Sequence, residues 1–327
     1  MHEMEGRVAH FPGESPISAA AAAGDIAREQ RLCRRRDPTN ESPVRSIGRA
    51  SERLKGDMKH HSGLAVYEHL PSESRPGDPV MVLLHGTLDR STSFARVVRR
   101  LADLHTVVFD RRGYHRSREA MPLPTSIEGQ IDDLISVIDR RPAVVVGHSY
   151  GGTIAIGAAL RHDPSNTITS VAAYEPPLPW LPLWTRDGTP RREKLRGDPD
   201  FEAERFFRRV VGDSAWDRLS ESGRAERRAD GPALVAELNA IRISDPPFDV
   251  ATMRIPALFG RGGRSVPHHR EGVAWLVEHT PNAELFEIPG ATHGAHLSHP
   301  DGFADFVRRA VARAGEVSAA TEPMRLG

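Results

Sequence analysis

From about residue 58 onward, short runs of apolar, often β-branched residues alternate with longer stretches whose apolar positions recur at helical spacing. Residues 64–69 and 80–85 read as strands, 91–102 as an amphipathic helix, 106–110 as the next strand and 125–139 as another helix. Ala143-Val144-Val145-Val146 is short, apolar and β-branched, the pattern of a strand buried on both faces. The small apolar run 152–160 reads as a helix packed beneath a sheet, and 168–174 as one more strand. After Glu175 the rhythm breaks. Residues 176–184 carry four prolines and five large apolar side chains, a proline-stiffened apolar segment that suits neither a strand nor a regular helix. Polar helical stretches follow, with Phe201, Phe206, Phe207 and Val210 at helical spacing, then Trp216 and Leu219, then residues 232–241. Alternation resumes with a strand at 255–259, a helix at 269–278, a strand at 284–288 and a last helix at 301–314. This order predicts an α/β fold: a mostly parallel, doubly wound sheet with helices on both faces and a helical cap inserted after the strand at 168–174. Ligand chemistry is then expected at the carboxyl ends of the strands, beneath that cap. The expected organisation is a core at 58–175 and 248–315, a cap at 176–247, an N-terminal extension at 1–57 and a flexible tail at 316–327.

Composition changes this picture little. The 327 residues suffice for one α/β domain with an insertion, and 44 basic residues balance 44 acidic ones. Neither nucleic acid nor membrane is expected as a partner. The one cysteine, Cys33, excludes an intramolecular disulfide and a cysteine-built metal site, and suits the cytoplasm. No apolar run approaches the roughly 18 residues of a membrane span. Arg34-Arg35-Arg36 is followed by Asp37-Pro38-Thr39-Asn40 rather than by an apolar stretch, so no export signal is read. Residues 1–57, rich in Ala, Arg, Pro, Ser and Gly, read as a flexible extension, with a basic arm for an acidic partner as the alternative.

The candidate chemistry lies at three turns. Gly147-His148-Ser149-Tyr150-Gly151 has the G-x-S-x-G form and stands between a strand and a helix. A serine on that sharp turn projects its hydroxyl clear of the sheet, which makes Ser149 the candidate nucleophile. Acyl transfer needs two N–H donors aimed at one oxygen, and these are assigned to Tyr150, after the nucleophile, and Thr87, in the His85-Gly86-Thr87 turn. His85 reads as a structural histidine bonded to backbone. In the segment from Gly290 to Pro300, His293 is the candidate base, because imidazole titrates near neutrality. His296 and His299 read as surface or capping residues. Metal binding by these histidines is an alternative that lacks a carboxylate at ligand-like spacing.

With His85-Gly86, Asp110-Arg111-Arg112-Gly113-Tyr114-His115-Arg116-Ser117, Gly147-His148-Ser149-Tyr150-Gly151-Gly152 and Gly290-Ala291-Thr292-His293, the chain resembles a serine hydrolase of the α/β-hydrolase superfamily. The resemblance implies an α/β-hydrolase sheet with the cap after its sixth strand, Ser149 as nucleophile, His293 as base, and Thr87 with Tyr150 as oxyanion hole. Two departures stand out. His115 replaces a glycine of the family's D-x-R-G-x-G-x-S loop. Gly263, in Gly260-Arg261-Gly262-Gly263-Arg264-Ser265-Val266-Pro267, replaces the usual triad Asp. Glu175 emerges at the carboxyl edge beside Ser149 and resembles the triad Glu after this strand in some lactone hydrolases. It is the candidate acid, with Asp245 and Asp249 as alternatives and a structural carboxylate as the other reading of Glu175. The expected activity is hydrolysis of a small apolar carboxylic ester or lactone through an acyl-serine, with no cofactor and no metal. A C–C bond hydrolase, a cofactor-free haloperoxidase-like enzyme and a non-catalytic ligand-binding homologue are the alternatives. Trp180, Trp184, Phe206, Phe207 and Trp216 are either an apolar pocket wall or the cap's own core.

Overall fold

A computed structural model describes residue 54 and residues 57–73, 77–161, 166–184, 194–242 and 245–321. The expectations for Cys33 and for the extension up to residue 53 lie outside these residues. Eight strands form one sheet: β1 (Asp57–His61), β2 (Leu64–His69), β3 (Val80–Leu84), β4 (Thr106–Phe109), β5 (Ala143–His148), β6 (Ile168–Tyr174), β7 (Ala257–Gly262) and β8 (Ala283–Ile288). Their order is β1-β2-β4-β3-β5-β6-β7-β8. From β4 to β8 neighbours run parallel, while β2 pairs antiparallel with both β1 and β4.

The central strands are buried along their whole length. Their period of two sorts the side chains between two cores. Val80, Val82, Leu84 and Val145 pack on one face with helices α2 (Ile127–Ile138), α3 (Tyr150–Leu160) and α8 (Pro267–His279). Met81, Leu83, Val144 and Val146 pack on the other with α1 (Ala95–Val98) and α10 (Pro300–Thr321). The turns after β3, β5, β6, β7 and β8 therefore converge on one edge of a doubly covered sheet, the carboxyl edge of its parallel strands.

Three elements depart from expectation. The edge strand β1 has a single apolar residue, Met58, and no apolar face to betray it; it is held by main-chain pairing with β2 from Asp57↔Glu68 to His61↔Leu64. The helix expected at 91–102 is instead two 3-10 turns, Ser91–Phe94 and Arg99–Leu101, flanking the short α1. Ser91, Thr92 and Ser93 compete for backbone hydrogen bonds, and the β-branched pair Val97-Val98 lowers helix propensity, yet Phe94, Val97, Val98 and Leu101 all still reach the core. The last helix runs on to Thr321, through part of the stretch expected to be a flexible tail.

Between β6 and β7 lie a proline-rich segment with one 3-10 turn, Pro182–Trp184, and the helices α4 (Pro199–Val210), α5 (Asp213–Asp217), α6 (Glu221–Ala229) and α7 (Gly231–Ala240). Asp198 caps α4 by accepting from the Asp200 N–H at 3.0 Å, and Pro199 opens its first turn. Trp216, fully buried, stacks edge-on against Phe207 at 5.4 Å, so these two aromatics are core of the insertion. Phe201, by contrast, is exposed. Among the described residues no helix is long and apolar enough to cross a membrane.

Candidate active site

Ser149 sits between the end of β5 and the start of α3 with φ 54° and ψ −128°, a conformation that non-glycine residues adopt only where the surroundings enforce it. Here the glycines enforce it. A Cβ on Gly147 would run into the backbone of Gly151, and one on Gly151 would lie 2.5 Å from the Leu84 carbonyl oxygen. The Ser149 N–H donates to the Tyr174 carbonyl at 2.9 Å, which ties the turn to β6. Tyr150 is the first residue of α3, so its N–H has no acceptor within the helix. The loop after β3 abuts the same point, because a methyl group on Gly86 would stand 2.9 Å from Ser149 Cβ.

Glu175, directly after β6, is fully buried with φ 46°. Its Oε2 accepts from His293 Nδ1 at 2.9 Å. Its Oε1 accepts from the Gly262 N–H at 2.8 Å and from the Ser265 hydroxyl. With Nδ1 donating, His293 keeps Nε2 free to accept a proton. The carbonyl of His293 in turn accepts from His148 Nε2 at 2.8 Å, which fastens the histidine loop to the residue before Ser149. Asp245 and Asp249 are exposed, and Asp249 uses its carboxylate to cap a 3-10 turn by accepting from the Ala251 N–H at 2.9 Å. At Gly263 the chain offers only backbone, its N–H donating to the Ile288 carbonyl at 3.0 Å.

Several residues at this edge were not singled out from sequence. Ser265 holds the Glu175 carboxylate. His269 stacks nearly parallel on His293, with ring centroids 4.3 Å apart and planes at 13°. Burial, reinforced by the neighbouring His293 and His268, brings its pKa down to about 2, so it lies against His293 as a neutral ring. A doubled histidine beside the Gly263 departure was the available signal. Glu237, from α7, is buried and accepts from the Thr87 hydroxyl, from Arg111 Nη1 at 2.6 Å and from the Tyr114 hydroxyl at 3.1 Å. Arg111, itself buried, also donates to the carbonyls of His85 at 3.0 Å and Gly86 at 2.9 Å. The inserted helices thus reach the Thr87 loop through this buried carboxylate and through Arg227, whose Nη1 donates to the Leu88 carbonyl at 3.0 Å.

His85 is the backbone-bonded structural histidine expected: Nε2 accepts from the Arg111 N–H at 2.9 Å and Nδ1 donates to the Gly86 carbonyl at 2.8 Å. Burial and the adjacent Arg111 lower its pKa to about 3. His115 adopts the positive φ, 46°, that a glycine takes more readily, and its Nδ1 pairs with Asp110 Oδ2 at 2.9 Å. The surface reading of His296 is wrong. That side chain is buried between Phe94 and Phe303 and lies 3.3 Å from Asp89. Carboxylates absent from the local sequence are therefore supplied to these histidines by other loops: Asp89 to His296, Glu175 to His293.

Residues 81–306 match the alpha/beta hydrolase family. The pimeloyl-[acyl-carrier protein] methyl ester esterase of Nitrosospira multiformis is 31% identical over 257 residues, covering 72% of this chain and 96% of the relative. Its counterpart from Chromobacterium violaceum is also 31% identical, over 247 residues, covering 70% of this chain and 92% of the relative. Among solved structures, the enol-lactonase from Burkholderia xenovorans superposes with a TM-score of 0.57 at 19% identity, covering 78% of this chain and all of that one, and so shares its fold. With its eight-stranded sheet, its strand-to-helix serine turn and this match over two thirds of its length, the chain belongs to the alpha/beta hydrolase family and is a hydrolase.

Proposed function

We propose that this hydrolase cleaves a small apolar carboxylic ester or lactone through an acyl-serine intermediate. The observation that carries the reading is the 2.9 Å bond from His293 Nδ1 to the buried, otherwise satisfied carboxylate of Glu175. It sets the tautomer a general base needs and supplies the negative charge that stabilises the imidazolium. Ser149 Oγ attacks the ester carbonyl carbon as His293 Nε2 takes its proton. The carbonyl oxygen, now negative, is received by the N–H groups of Tyr150 and Thr87. His293 returns the proton to the leaving alkoxide, and water repeats the sequence to release the acid and restore Ser149. In this reading α4 to α7 form a cap, and Glu237 braces the Thr87 loop from it. The methyl ester esterases at 31% identity support an ester over other hydrolysable bonds.

Ser149→Ala should reduce hydrolysis of p-nitrophenyl esters and lactones by on the order of a millionfold while leaving the melting temperature near that of the parent. A fluorophosphonate probe should label the parent chain once and the variant not at all. Retained turnover in Ser149→Ala would remove the covalent mechanism.

A further inference from the structure

We propose that Asp89, His148 and His296 form a binding site for one divalent transition-metal cation of the zinc class, immediately behind the serine turn and separate from the Glu175–His293 pair. The three side chains come from the loop after β3, the end of β5 and the short helix α9 (Ala295–Ser298), and one ligand atom from each lies within 4.8 Å of the other two.

The hydrogen bonding argues for a cation in that space. His148 donates Nε2–H to the His293 carbonyl at 2.8 Å, which leaves Nδ1 as a lone pair. That nitrogen is buried and, among the described residues, has no hydrogen-bond partner. A histidine that ligates metal through one nitrogen and donates the other to a backbone carbonyl is the usual outer arrangement of such sites. His296, 2% exposed, leaves Nδ1 buried with no hydrogen-bond partner among the described residues, and the one polar group facing its Nε2 is the Asp89 carboxylate. Its Nε2 lies 3.3 Å from Asp89 Oδ2 without the alignment of a hydrogen bond. Two donors each about 2.0–2.1 Å from a tetrahedral zinc ion stand roughly 3.3 Å apart. Asp89 is itself oriented, accepting from the Ser93 hydroxyl at 3.0 Å through the same oxygen. Space is kept as well: a methyl group on Gly86 would press to 3.2 Å from His148 Nδ1. Phe94 and Phe303 wall the cluster on the His296 side and offer no competing polar group. The partly exposed Asp89 carboxylate, 18% accessible, gives the cation its entry and leaves a position for water.

Two neutral imidazoles and one carboxylate suit zinc, nickel or cobalt better than magnesium or calcium, which prefer all-oxygen sites. A cation on His148 Nδ1 would act on the residue next to Ser149 and on the hydrogen bond that anchors the His293 loop.

The test is a titration of the chelator-stripped full chain with zinc in competition with a chromophoric zinc indicator, paired with the visible spectrum of the cobalt form. The parent should take up one equivalent with a Kd of micromolar or below, and cobalt should give absorption bands of four- or five-coordinate geometry. His296→Ala and Asp89→Asn should each weaken binding at least tenfold and erase the cobalt bands, Asp89→Asn serving as the near-isosteric change at the accessible edge. His269→Ala should keep both. The proposal is overturned if the parent binds no zinc, if His296→Ala and Asp89→Asn bind as tightly as the parent, or if His269→Ala loses the equivalent, which would put the cation at Glu175 and His293.

Discussion

Glu175 has no spare hydrogen-bonding capacity toward a substituted amide. Its Oε1 accepts from Gly262 N–H and Ser265, and its Oε2 from His293 Nδ1, so every group facing it is a donor. In Glu175→Gln the carboxamide oxygen can serve the first pair only by turning its NH2 toward His293. The imidazole must then shift its proton to Nε2, the wrong tautomer for taking one from Ser149, and kcat should fall by roughly three to four orders of magnitude with the fold retained. Adding Gly263→Asp to that variant should restore part of the loss in ester hydrolysis, since a Cβ at Gly263 comes no nearer than 3.4 Å to any neighbour, Glu287 Oε1 and Gly290 N being the nearest, so the backbone leaves room for a side chain. No gain from Asp at 263 would mean that this loop cannot reach His293. The position of Glu175 was legible because the order of strands fixes which turns share an edge with Ser149. Ser265 was not, because nothing local distinguishes a hydroxyl that serves a side chain some ninety residues away from one that serves solvent, and the His268-His269 doublet marks a place without naming its distant partner. His296 was misread for the same reason: the rings that bury it, Phe94 and Phe303, come from a distant 3-10 turn and the following helix.

The helices after β6 couple to the core through polar contacts from α6 and α7, and the most deeply buried of these lies on α7. Arg111 and Glu237, both nearly inaccessible, form a 2.6 Å ion pair, with Tyr114 and Thr87 donating to the same carboxylate. Removing one member strands the other charge in a low-dielectric site, which typically costs about 3–5 kcal/mol. Glu237→Ala should accordingly lower the urea midpoint by that equivalent and loosen the Thr87 loop, reducing kcat along with stability. A double variant with Arg111→Met should recover much of the stability without the activity, because the uncompensated cation is gone but Thr87 still lacks its acceptor. Equal losses in single and double variants would mean that the cost is a cavity rather than a stranded charge. The parallel strands and α2 were readable because burial on both faces, or along one stripe, writes itself into β-branched runs and helical spacing. The strand β1 leaves no such trace, being held by main-chain pairing and by polar contacts such as His61 Nε2 to the Ser136 hydroxyl at 2.7 Å rather than by an apolar face, and the 3-10 breaks around α1 reflect propensity that an apolar stripe does not record.

Zero net charge hides an asymmetry in how the folded chain binds protons. His85, His148 and His269 are all held neutral, chiefly by burial: His85 with a pKa brought down to about 3, His269 to about 2, and His148 well below the ordinary range, with His296 and His293 adding to the effect. In the unfolded chain each titrates near about 6.5. The unfolded state therefore binds more protons between those values, and stability rises with pH across that window. The contribution is full above about pH 6.5 and is lost as pH falls from there toward the folded pKa values. Each histidine adds a slope of about 1.4 kcal/mol per pH unit. His269, 14% accessible, contributes less than the two more deeply buried rings. Together they should cost about 3–4 kcal/mol per pH unit below pH 6, a large fraction of the roughly 5–15 kcal/mol that holds a typical domain. Depressed carboxylates act in the same direction but only at lower pH: Glu284, held down to about 2 by hydrogen bonds from Arg309 and Arg313, begins to matter below the ordinary glutamate range. Urea midpoints measured from pH 7.5 to 5 should therefore start to fall near pH 6.5, and His269→Phe should flatten the slope. A midpoint constant down to pH 5 would mean that these histidines find protonated alternatives inside the fold, and the buried-neutral account of the site would fail with it.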